Sequence, residues 1–124
     1  MLLLLALAAC SAPPELTDQQ KAQLRDNIRA RIARMPGELK LSQDQYHKTR
    51  PIVAEMREGV LKAALRARDS GRSLSTARRL VQDLKKVRSD TEAKLKPILS
   101  EEQLKTVQRC FDDIRELAKN ARKN

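Results

Sequence analysis

The pattern Leu-[Ser/Thr]-x-x-Gln occurs three times in this chain, as Leu16-Thr17-Asp18-Gln19-Gln20, Leu41-Ser42-Gln43-Asp44-Gln45 and Leu99-Ser100-Glu101-Glu102-Gln103. In each copy the hydroxyl of Thr17, Ser42 or Ser100 can accept from the backbone N–H three residues on, while Gln20, Gln45 or Gln103 reaches back to the cap's own N–H. Each copy therefore predicts a helix start. Leu41 and Leu99 can further pack on Tyr46 and Leu104 as hydrophobic staples. Lys21 takes that position in the first copy, so the start at Leu16 is expected to be the weakest.

Apolar residues follow each start at helical spacing. Leu24, Ile28, Ile32 and Met35 predict a first helix over 18–35, ended by Pro36-Gly37. Tyr46, Val53, Met56, Val60, Ala64 and Ala67 mark a second, which lasts to Asp69-Ser70-Gly71; Pro51 removes one of its hydrogen bonds and predicts a kink. A third, capped by Ser73 or Ser75, carries Ala77, Leu80, Leu84, Val87, Thr91, Leu95 and Ile98, with a bend near Pro97–Ser100. The fourth alternates steps of three and four through Leu104, Val107, Phe111, Ile114, Ala118 and Ala121. Nothing reads as a strand. The fold class is all-α with four helices, the second and third folding back across Gly71 as a long antiparallel hairpin.

With 124 residues there is room for one domain, and only 2% of them are aromatic, so the core must be aliphatic. Such a core is often completed by a second copy, and a homodimer is expected. The formal charge is +10. It concentrates in residues 46–97, where fourteen Lys and Arg stand against six Asp and Glu, so any negatively charged partner belongs on the middle of the chain.

Residues 2–9 are an unbroken apolar run that ends at Cys10 and is too short to span a bilayer. Leu7-Ala8-Ala9-Cys10 resembles the lipobox of bacterial lipoproteins, which implies cleavage before Cys10 and lipidation of its thiol. Several acyl chains hold a protein at a membrane where one does not. On this reading residues 1–9 are a signal peptide, 10–15 a lipidated tether broken by Pro13-Pro14, and 16–124 the helical domain. No Lys or Arg precedes the apolar run, which points to a start upstream of Met1 or a truncated chain. Ser11 after the cysteine resembles lipoproteins sent to the outer membrane, so the expected location is the periplasm, lipid-anchored there. Cys110 is then the sole free thiol, read as a small buried hydrophobe or, alternatively, as a disulfide across a dimer.

Three Leu-[Ser/Thr]-x-x-Gln copies in a basic, exported helical chain resemble the Spy/CpxP family of periplasmic stress proteins, named for its LTxxQ motifs. The resemblance covers roughly residues 38–118 and is closest over Leu95–Gln103. It implies a cradle-shaped dimer of helical hairpins and an envelope-stress, ATP-independent chaperone that binds unfolded or acidic clients on a basic surface. Lipidation departs from the usual family chain and would confine client binding to the membrane face.

The expected client surface comprises Arg57, Lys62, Arg66, Arg68, Arg78, Arg79, Lys85, Lys86 and Arg88. These charges would speed encounter in a salt-dependent way, with Met56 adding adaptable apolar contact. The alternative is a structural or sensory lipoprotein with one dedicated protein partner or a role in sensing metal stress. No metal site is expected, because His47 is the only histidine and pairs poorly with Asp44. No nucleic-acid partner is expected either, for want of an aromatic platform; anionic lipid suits a tethered basic helix pair better. No cofactor and no enzyme activity are expected: there is no Gly-rich phosphate loop and no histidine with a nucleophile nearby. The adjacent carboxylates Glu101-Glu102 and Asp112-Asp113 read as favourable charge at a helix start and as surface solvation.

Overall fold

The computed structural model describes residues 17–69 and 74–123. Among them are four helices and no strand: α1 (Asp18–Leu39), α2 (Gln43–Asp69), α3 (Leu74–Leu95) and α4 (Glu101–Lys123). Helix α2 packs mainly along α3 and α1 mainly along α4, with smaller α1–α2 and α3–α4 contacts joining the two pairs.

Helix α1 starts as its pattern dictates, with a complete capping box between Thr17 and Gln20. Its end differs from the sequence expectation. It runs through Pro36 and Gly37 to Leu39 and closes on Lys40 in the left-handed conformation, φ 51° and ψ 54°. Pro36 falls in the last turn, so it forfeits a single backbone hydrogen bond, and one further turn carries Leu39 into the core at 4% exposure. Burying that side chain is worth about 1.5–3 kcal/mol, of the same order as the roughly 3 kcal/mol that a proline costs inside a helix.

Helix α2 continues through Pro51 to Asp69. Its stripe is buried at Met56, Val60, Ala63 and Ala64, but Tyr46 is 46% exposed, against its expected place as the first core position. Thr49 takes the buried place instead, and its Oγ1 donates to the Tyr46 carbonyl at 3.3 Å. Of the two proposed caps of α3, Ser75 lies inside the helix and Ser73 outside the described residues. A tight turn over 96–99 joins α3 to α4, with Leu99 N–H donating to the Leu95 carbonyl at 2.9 Å.

The core gathers Ile28, Ile32 and Met35 of α1, Met56 and Val60 of α2, Leu84 and Leu95 of α3, and Val107, Phe111 and Ile114 of α4. Where α2 passes α3, a Cβ on Gly59 would stand 3.1 Å from Val87 Cγ2. The glycine is what lets the two helices approach so closely.

Candidate functional site

The second and third Leu-Ser-x-x-Gln copies meet. Ser42 and Gln45 form one capping box, with both bonds at 3.1 Å, and Ser100 and Gln103 form another at 2.9 and 3.2 Å. The two glutamines then bond each other. Gln45 Nε2 donates to Gln103 Oε1 and to the Ile98 carbonyl, both at 3.1 Å. Gln103 Nε2 donates to Gln45 Oε1 at 3.3 Å and to the Leu39 carbonyl at 3.1 Å. Each glutamine thus caps its own helix and satisfies a carbonyl in the turn before the other. This joint ties the start of α2 to the start of α4. Leu16 lies outside the described residues, and among those described Gln20 bonds only to its own cap, Thr17.

The expected client residues fall into separate groups. Lys62, Arg66 and Lys86 line a groove between α2 and α3, across Gly59 and Val87, shared with Asp83 and Asp90. Lys85 and Arg88 line a second groove between α3 and α4, floored by Val81, Leu84 and Phe111 and joined by Arg115. Arg88 is committed there, with Nε on Glu92 at 3.1 Å and a terminal nitrogen on Asp112 at 3.2 Å. Arg57 stands apart in a third groove with Pro36, Leu41, Tyr46, Thr49, Arg50, Val53 and Ala54. Arg78 and Arg79 are exposed on α3, and the side chain of Arg68 lies outside the described residues.

One buried cation escaped the sequence reading. Arg31 is 5% exposed, with Nε on Asp113 at 2.8 Å and a terminal nitrogen on Glu38 at 2.9 Å. Burial opposes its charge, but the bonds to Asp113 and Glu38 outweigh that and hold its pKa above the usual arginine value. Asp112 and Asp113 therefore tie α4 to α3 and α1 respectively, rather than merely solvating the surface. Their adjacency was the signal: neighbours on a helix point about 100° apart and can serve two flanking helices.

Cys110 is fully buried and free, as a small core residue would be. Burial pushes its thiol up to about 11, against the lowering field of Arg31. His47 is exposed beside Tyr46, ring centres 6.0 Å apart, and Asp44 pairs with Lys48 at 3.1 Å. No group of three or more His, Cys, Asp or Glu among the described residues could hold a metal ion. No helix among the described residues is long and apolar enough to cross a membrane, and Cys10 lies outside them.

Comparison with known proteins finds no matching family model, no matching curated protein and no matching solved structure.

Proposed function

We propose that this chain is an exported, lipid-anchored helical protein of the envelope that acts as an ATP-independent, chaperone-like binder of unfolded or acidic clients, in the manner of the Spy/CpxP proteins it resembles. The observation that carries the reading is the joint between the two Leu-Ser-x-x-Gln copies. Both are helix starts, and their glutamines interlock through side-chain amides, so the repeated motif has one shared architectural task. The α2–α3 contacts support a hairpin, since Glu55 meets Lys94 while Gly59 meets Val87. Lys62, Arg66 and Lys86 along that pair, with Arg78, Arg79 and Lys85 beyond, would attract acidic chains at long range without locking onto one. A cradle-shaped dimer and tethering through Cys10 complete the proposal.

The test is suppression of aggregation. The purified helical domain should keep an unfolding client in solution without ATP, and more weakly as salt rises. Charge reversal at Arg78, Arg79, Lys85 and Lys86 together should reduce the protection severalfold. If excess protein at low salt leaves aggregation unchanged, the chaperone reading fails. In that case crosslinking from whole envelope that returns one stoichiometric protein would favour the dedicated-partner alternative.

A further inference from the structure

We infer that the groove between the end of α1 and the flank of α2 is a docking site for an acidic amphipathic helix of a partner protein. Its floor is apolar and only half-covered, with Leu41, Val53 and Ala54 each of intermediate exposure. Beside it stands Tyr46, the one large hydrophobic side chain exposed among the described residues. Arg50 and Arg57 rim the same groove, and no carboxylate among the described residues lines it.

Both guanidiniums are available. The residues three and four positions away on α2 are Tyr46, His47, Val53, Ala54, Val60 and Leu61, none of them acidic, so neither arginine has a helical ion-pair partner. Among the described residues neither forms a salt bridge, whereas Lys48, Arg88 and Lys94 all do. Arg50 and Arg57 are two turns apart on one face of α2, roughly 10 Å along the axis. Two carboxylates seven residues apart on a partner helix have that same spacing, and aliphatic residues midway between them would meet Val53 and Ala54. This is helix-in-groove recognition, with apolar burial for affinity and the two arginines for orientation and register. Pro36 of α1 and Val53 and Ala54 of α2 face the same groove, so an apolar side chain projecting from a partner helix would be covered there from both helices.

The groove takes only Arg57 from the client residues expected from the sequence and none of the cations proposed above to attract clients, and the two readings separate experimentally. Tyr46 is the only tyrosine of the chain and there is no tryptophan, so its fluorescence reports on this groove alone. The probe is a synthetic helix-forming peptide without aromatic residues, with two Glu seven positions apart and Leu between them. Titrated into the purified chain at low salt, it should shift Tyr46 emission saturably. The double variant Arg50→Glu with Arg57→Glu should weaken binding tenfold or more, while Lys105→Glu with Lys119→Glu, at exposed cations of α4 outside both surfaces, should leave it unchanged. Far-UV circular dichroism confirms that each variant folds; should the Glu variant lose helix, Arg50→Gln with Arg57→Gln replaces it, with a severalfold loss expected. No saturable shift, equal binding by a peptide with Lys for Glu, or a loss equally large at Lys105 and Lys119 overturns the inference. So does an Arg50- and Arg57-dependent shift given by vesicles of anionic phospholipid but not by the peptide. Aggregation suppression that survives the Arg50 and Arg57 changes would leave the chaperone reading standing whatever the peptide does.

Discussion

Gln45 and Gln103 stand 58 positions apart and bond each other twice, each amide nitrogen donating to the other's carbonyl oxygen. Gln103→Glu keeps the oxygen that accepts from Ser100 but removes the nitrogen that serves Leu39 and Gln45. Gln20 caps its helix without such a link, so Gln20→Glu measures what the change costs in an isolated box. Gln103→Glu should destabilise by about 1–3 kcal/mol more than Gln20→Glu, the cost of leaving partly buried acceptors unpaired. Chemical denaturation of the two variants reads the difference, and equal losses would mean that the joint carries no energy of its own.

Lys40 closes α1 at φ 51°, where a side chain crowds its own backbone. Glycine tolerates that conformation freely, which offsets the greater entropy it loses on folding. Lys40→Gly should therefore stabilise the chain by about 0.5–1 kcal/mol, contrary to the usual effect of introducing glycine. A raised thermal midpoint is the expected sign. A fall of similar size would show that Lys40 makes a compensating contact.

The helix starts were legible in the sequence because a capping box is a local device: the bonds of Ser42–Gln45 and Ser100–Gln103 lie within three residues of each cap. That the two boxes meet was not legible, since the bond from Gln103 to Leu39 depends on how α1 and α4 pack. Pro36 misled for a related reason. Its local cost is fixed by chemistry, but whether a helix bears it depends on Leu39 finding a core beyond it. Tyr46 had the spacing of a core residue, yet it stays exposed beside two arginines seven positions apart, while Thr49 three residues on is the one buried. The basic middle was visible as composition. Its division among separate grooves and open helix surface was not, because charge counts carry no information about helix faces.

The close passage of α2 over α3 makes Gly59 sensitive to size. A Cβ there would lie 3.1 and 3.3 Å from the two Val87 methyl carbons. Alanine gains helix propensity of about 0.8–1 kcal/mol over glycine, so Gly59→Ala should be near neutral as the clash cancels the gain. Gly59→Val should cost about 1–3 kcal/mol through overpacking. Val87→Ala makes room, and in that background Gly59→Ala should be clearly stabilising. A double-mutant cycle with a coupling of at least 0.5 kcal/mol is expected; additivity would mean that the helices part without cost.

Cys110 lies fully buried against the core face of α1, near the Arg31 guanidinium, and its thiol is pushed from 9.0 to about 11, chiefly by burial. The sign follows from which state releases its proton first. Below pH 9 the thiol is protonated in both folded and unfolded chains, and the buried neutral form stabilises fully. Between pH 9 and about 11 the unfolded thiol ionises while the folded one resists, so stability falls as pH rises. The shift corresponds to about 2–3 kcal/mol at the top of that window. Cys110→Ala removes the titrating group and should flatten the decline, though it lowers stability at neutral pH by creating a small cavity. Unfolding midpoints of both proteins from pH 8 to 11 test this, and thiol labelling gives an independent measure. If the native chain reacts with a thiol reagent as fast as the unfolded chain, Cys110 is not held in the core, and the pH slope has another source.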